Sequence, residues 1–158
     1  MAVRLQPMTD PNASVLALDV GTKRIGVAVA NLGVRFASPL TTLDRPKTFL
    51  QDIAQLCCEE SAAILVLGLP RGLEGQETEQ TAWVRNFGRK LGEYLGGRGM
   101  ELPLYWIDEA LTSAKAEHEL QSRHGGRTAY GRATYSRADI DSLAATYMLE
   151  DFLREFYE

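Results

Sequence analysis

Apolar residues along the chain fall first into short continuous runs and then into helical spacing. "VLALDV" (15–20) is apolar at nearly every position, the pattern of a central strand buried on both faces, and "RIGVAVA" follows after a Gly-Thr-Lys turn, so the two predict a hairpin. "RFASPLTTL" predicts a third strand, with Pro39 marking an edge or a strand end. "PKTFLQDIAQLCCEE" opens on Pro46 and repeats apolar residues at Phe49, Ile53, Leu56 and Cys57, the spacing of a helix. "AAILVLGLP" predicts a strand stopped by Gly68 and Pro70. "GQETEQTAWVRNFGRKLGEYL" predicts a helix with acidic early turns and Arg89 and Lys90 later, the order that the helix dipole favours. "LPLYWID" predicts a fifth strand, "TSAKAEHELQSR" a helix capped by Thr112, and 137–157 a final helix. The order βββαβαβαα predicts mixed α/β architecture on one sheet, without internal repeats.

Composition narrows the class. With 158 residues, 45% of them hydrophobic, the chain suits one domain, placed at 15–158. Residues 1–14 carry Pro, Asp, Asn and Ser where a signal peptide needs an apolar stretch, and they predict a flexible tail. No apolar run approaches the ~20 residues of a membrane span. The two cysteines, Cys57 and Cys58, are adjacent within a predicted helix, which suits neither a disulfide framework nor a spaced metal site, so a reducing cytoplasm is the expected compartment. A net charge of -4 argues against coating nucleic acid by bulk positive charge. Local charge differs: between Leu120 and Ala138 stand Arg123, Arg127, Arg132 and Arg137 with no acidic residue, interleaved with glycines, Tyr130 and Tyr135. That stretch reads either as a loop able to wrap a nucleic-acid backbone and stack on bases, or as a solvated linker balancing the acidic final helix.

Carboxylates supply the candidate chemistry. Strand alternation puts Asp19 on the face of Val15 and Ala17, where it serves a site or an Asx turn through Gly21 and Thr22. In the final helix, Asp141 falls on the arc of Met148 and Phe152, where a charge is costly unless paired, protonated or metal-bound; favourable placement near the helix N-terminus is the alternative. Asp108 and Glu109 end the fifth strand, and alternation directs only one of them towards the others. Three bare carboxylates from separate elements would repel, and a divalent cation removes the conflict. Oxygen-only ligation selects Mg²⁺ or Mn²⁺ over zinc, and neither His118 nor His124 has a partner at metal-ligand spacing. Lys23 and Arg24, in the turn after Asp19, either receive a phosphate or are solvated.

With these residues assembled, the chain resembles the YqgF (RuvX-like) family of RNase H-fold nucleases, similar to Holliday-junction resolvases. The resemblance spans about 15 to 155 and rests on "LALDVGTKRIGVAVA", "ILVLGLP" followed by Gly75 and "VRNFGRKL", "DEALTSAKAE" and "DIDSLAATYMLEDFL". It implies an RNase H-like five-stranded mixed sheet with helices on both faces, and metal-binding carboxylates at Asp19, the Asp108 and Glu109 pair, and Asp141. It further implies maturation of the 5′ end of the small-subunit ribosomal RNA precursor by a two-metal mechanism. RNA is the favoured partner, branched DNA a second, ribosomal precursor particles a third, and the chain acts as a monomer or homodimer. Ala110 stands where the family usually has Arg, and "RGLEG" follows "GLP" where an Asn is common. A nucleotide-binding ATPase or kinase, which shares the Asp-x-Gly-Thr turn, needs a second lobe with its own such loop, and none is present. A binding module that cleaves little is the remaining alternative.

Overall fold

The computed structural model describes residues 10–108 and 137–157. The predicted helix at 112–123 lies outside them, as do Glu109, Arg123, Arg127 and Arg132. Five strands form one mixed sheet in the order β3-β2-β1-β4-β5. They are β1 (Ser14–Val20), β2 (Ile25–Asn31), β3 (Ser38–Leu43), β4 (Ala62–Leu69) and β5 (Leu104–Asp108). β1 pairs antiparallel with β2 and parallel with β4, and β4 pairs parallel with β5. β3 pairs antiparallel with β2 alone, so Pro39 sits on an edge strand, where its missing N–H costs least.

Among the described residues three α-helices cover the sheet: α1 (Phe49–Glu59), α2 (Glu79–Gly97) and α3 (Arg137–Tyr157). A 3₁₀ turn at Pro46–Thr48 leads into α1. The helical pattern predicted from 75 begins at Glu79 instead. Gly75 has a positive φ of 79°, and extended Thr78 caps the helix in a reciprocal capping box with Thr81. None of the helices is long and apolar enough to cross a membrane among the described residues.

The two faces of the sheet differ in side-chain size. Leu16, Leu18, Ile25, Val27, Leu65 and Leu67 pack with Phe49, Ile53, Val84 and Leu91 of α1 and α2. The opposite face presents Val15, Ala17, Ala28, Ala30 and Val66 to Ala145, Met148, Leu149 and Phe152 of α3. Fully burying each large apolar side chain contributes about 1.5–3 kcal/mol, so α3 is held chiefly by its apolar stripe. Small residues beneath that stripe let α3 come close.

Cys57 is buried against the α1 face of the sheet, and Cys58 is exposed with its Sγ 3.8 Å from Met100 Sδ. Burial, and secondarily the neighbouring Cys58, push the Cys57 thiol from 9.0 up to about 11. Below pH 9 native and unfolded chains both keep this proton; between pH 9 and 11 only the unfolded chain releases it, so native stability falls across that window. In the native chain at pH 8, iodoacetamide should label Cys58 and spare Cys57, read by mass spectrometry. Equal labelling of both would show that the Cys57 environment opens.

Candidate active site

β1, β4 and β5 run parallel, so their carboxyl ends share one edge of the sheet. Asp19 stands at that edge on β1 and Asp108 on β5, with β4 between them. Two strand spacings separate β1 from β5, about 10 Å. Asp19 continues the alternation of Val15 and Ala17 and so faces α3. Its side chain is half-buried.

Asp141 is brought to the same place by a close backbone approach. Gly26 is the register partner of Asp19 across the β1–β2 ladder. A Cβ on Gly26 would stand 2.1 Å from the Asp141 carbonyl oxygen and 2.8 Å from the Ser142 nitrogen. Only glycine allows the first turns of α3 to lie there, directly over the face that Asp19 occupies. The turn joining the two strands is also tight: the Gly21 N–H donates to the Arg24 carbonyl at 2.9 Å, and a Cβ on Gly21 would meet that oxygen at 2.8 Å.

The turn delivers a counter-charge. Arg24 Nε donates to Asp141 Oδ2 at 3.0 Å, with side chains 34% and 25% exposed respectively. At such exposure the pair itself contributes about 1 kcal/mol or less, so it answers the charge of Asp141 more than it fixes α3. Lys23 is exposed in the same turn.

Asp108 lies differently. Leu104 and Trp106 pack with the α1 and α2 side, whereas Tyr105 and Ile107 pack with the α3 side. Asp108 therefore continues the α2-side alternation; its side chain is 62% exposed, and Arg71 Nε approaches Oδ2 at 3.9 Å. Arg71, in the loop after β4, also reaches Glu77 at 3.4 Å, and its Nε is buried without a hydrogen-bond partner. Arg85 on α2 donates to the same Glu77 carboxylate and lies over the Trp106 ring, 5.9 Å from its centroid. Arg137 opens α3.

Among the described residues no three His, Cys, Asp or Glu side chains converge as a metal-binding group. The Asp141 backbone lies against Gly26, the ladder partner of Asp19, and Arg24 is the cation beside the Asp141 carboxylate. Both carboxylates offer oxygen donors, the kind that a hard divalent cation takes. The Arg24 and Arg71 contacts are tertiary and escape sequence reading, whereas the small residues at 17, 26, 28 and 30 are a legible signal of close helix packing.

The mixed five-stranded sheet carries Asp19 and Asp108 at the carboxyl edge of its parallel strands, with Asp141 against the neighbouring β2. A family model described as "RuvX: Holliday junction resolvase" matches residues 13–155, and the chain belongs to that family. It is similar to proteins named "Putative pre-16S rRNA nuclease" from Thiobacillus denitrificans, at 39% identity covering 89% of this chain and 91% of that one, and from Crocosphaera subtropica, at 40% covering 89% and 92%. The fold is similar to T. thermophilus RuvC solved with a Holliday junction substrate, with a TM-score of 0.57 and 13% identity, covering 92% of this chain and 97% of the other. The chain is thus a hydrolase of phosphodiester bonds, and its substrate is nucleic acid.

Gly26→Ala should abolish cleavage although no carboxylate is altered, because the added methyl forces α3 and Asp141 away from Asp19. The overpacking should also destabilise the fold by about 1–3 kcal/mol or more, read by denaturant titration. Full activity in this variant would mean that the backbone approach does not position the site.

Proposed function

We propose that this nuclease acts on structured RNA, maturing the 5′ end of the small-subunit ribosomal RNA precursor within precursor particles. The observation that carries the proposal is the close approach of the Asp141 backbone to Gly26, the ladder partner of Asp19. Its relatives named for pre-16S rRNA support the choice of RNA. In this reading Asp19, Asp141 and one of the Asp108 and Glu109 pair, with Glu109 the choice made here, would hold Mg²⁺ or Mn²⁺. When bound, the metal supplies activation of water and stabilisation of the leaving oxygen. Asp19 and Asp141 orient that centre from a strand end and a helix, two rigid elements. Arg24 and Lys23, in the turn after Asp19, would meet a substrate phosphate. Arg123, Arg127, Arg132 and Arg137 extend the contact along the backbone of the nucleic acid. The domain of residues 15–158 works in the cytoplasm, and a monomer suffices for a single cut.

The family description favours a second substrate, a four-way DNA junction, for which two symmetric cuts would require a two-fold dimer.

The test is Mg²⁺-dependent cleavage of matched precursor RNA and junction DNA by the wild-type chain, Asp19→Asn, Glu109→Gln and Asp141→Asn. Wild type should cut the RNA, and each variant should lose cleavage. In melting experiments Mg²⁺ should raise the Tm of wild type and not of Asp141→Asn. Cleavage confined to junction DNA would exchange the substrate, and full activity of Asp141→Asn at saturating Mg²⁺ would remove the carboxylate assignment. Arg127→Ala with Arg132→Ala should weaken binding and flatten its salt dependence by ~0.7 to 0.9 log units per log of salt for each lost phosphate contact. An unchanged slope would take this segment off the binding surface.

A further inference from the structure

On the sheet face opposite Asp141, α1 and α2 enclose a cavity of about 250 Å³ that the carboxylate site does not use. It is smaller than the ~300–1,000 Å³ of pockets for drug-sized ligands, and suits one ring with a polar appendage. Phe49 and Phe87 form an aromatic corner, edge to face with centroids 6.4 Å apart. Lys47 and Lys90 stand in the walls, which contain no acidic residue, and neither lysine has an ion-pair partner among the described residues. Tyr94 completes the lining.

The cavity belongs to a longer stripe. Trp83, Phe87, Lys90 and Tyr94 are spaced four, three and four apart, so they share one face of α2. Trp83 stacks on Phe87 with centroids 5.9 Å apart and planes 16° from parallel, and it remains 39% exposed. Arg98 lies over the Tyr94 ring, 4.8 Å from its centroid. The helix starts at Glu79, where the loop from the carboxyl end of β4 arrives, so the stripe begins near the edge that bears Asp19 and recedes from it. From Trp83 to Tyr94 it runs about 16 Å. Aromatic faces alternating with uncompensated cations are what single-stranded nucleic acid requires, with bases stacking on rings and phosphates meeting lysines.

We infer that the α1–α2 cavity and the Trp83–Tyr94 stripe form a nucleotide-binding subsite, which takes a base against the exposed aromatic face of Trp83 and Phe87 and a phosphate at Lys47 and Lys90. The inference rests on the nuclease reading, and it adds a second, non-catalytic contact for an unpaired strand leaving the reaction edge.

The test uses the full chain carrying Asp19→Asn, without divalent metal, so that binding is read without cleavage. Fluorescence anisotropy is followed with a labelled single-stranded oligoribonucleotide and, separately, with labelled AMP. Trp83→Ala should weaken oligonucleotide binding by about fivefold to over a hundredfold. Lys47→Ala with Lys90→Ala should lower the salt slope by about 0.7 for each lost contact, and arginine at both positions should restore it. In the chain with Asp19 intact, the lysine double variant should raise KM for a substrate with a single-stranded extension and leave kcat unchanged. Loss of AMP binding in these variants would identify a free mononucleotide as a sufficient ligand, and loss confined to the oligonucleotide would identify the substrate strand; either supports the subsite. Unchanged affinity and salt slope in both the Trp83 and the lysine variants would overturn it. The nuclease reading is scored independently by Mg²⁺-dependent cleavage in wild type, which the binding result does not affect.

Discussion

A single missing side chain governs how the last helix meets the sheet. At Gly26 the backbone of β2 and the first turns of α3 come closer than any Cβ would allow, with the Asp141 carbonyl oxygen 2.1 Å from where that carbon would be. Gly26 faces Asp19 across the ladder, so the contact that seats the helix brings the Asp141 backbone to the strand that pairs with Asp19. The remainder of that face is arranged to permit it. Ala17, Ala28 and Ala30 keep the sheet surface low, and the large side chains come from the helix as Met148, Leu149 and Phe152. The burial of those side chains is the force that holds the helix on the sheet. The Arg24–Asp141 pair, part-exposed and worth about 1 kcal/mol or less, answers the Asp141 charge without dictating the packing.

The strands were legible because central strands of a parallel sheet are buried on both faces, so "VLALDV" and "AAILVLGLP" carry continuous apolar runs that few other elements produce. The edge position of β3 followed from Pro39. The face of Asp19 followed from alternation, and the placement of Asp141 on the apolar arc of the last helix followed from its period. The start of α2 was misread by four residues, since acidic composition continues through Glu77 while the cap is fixed by Thr78 and Thr81. Contacts between residues far apart in sequence were not legible: Arg24 with Asp141, and Arg71 with Asp108, depend on register and helix placement. The contrast between Leu16, Leu18, Ile25 and Val27 on one face and Ala17, Gly26, Ala28 and Ala30 on the other was in the sequence, and it foretells which face takes a helix closely.

Charge is distributed by face and edge rather than by total. The net value of -4 conceals a carboxylate edge in which guanidinium groups stand against acids: Arg24 at Asp141, and Arg71 and Arg85 at Glu77. It also conceals the α1–α2 cavity, whose lysines have no acidic neighbour in the walls. An acidic protein that must approach a polyanion gains from this separation, because repulsion from its bulk charge is screened beyond about 8–10 Å at physiological salt, whereas local cations act within that distance.

The buried Arg71 Nε ties this distribution to the fold. Its guanidinium reaches from the loop after β4 to Glu77 in the same loop and towards Asp108 at the end of β5, and its Nε has no hydrogen bond of its own. An arginine left partly unsatisfied is easier to redirect than one held in a bidentate pair, because fewer hydrogen bonds are surrendered when it turns. Arg24 is likewise held to Asp141 through its Nε alone among the described residues. Both arginines stand at the carboxyl edge of the parallel strands. Gly26 and the apolar stripe of α3, rather than either ion pair, fix where the Asp141 backbone stands, so the fold does not depend on where these two guanidiniums point.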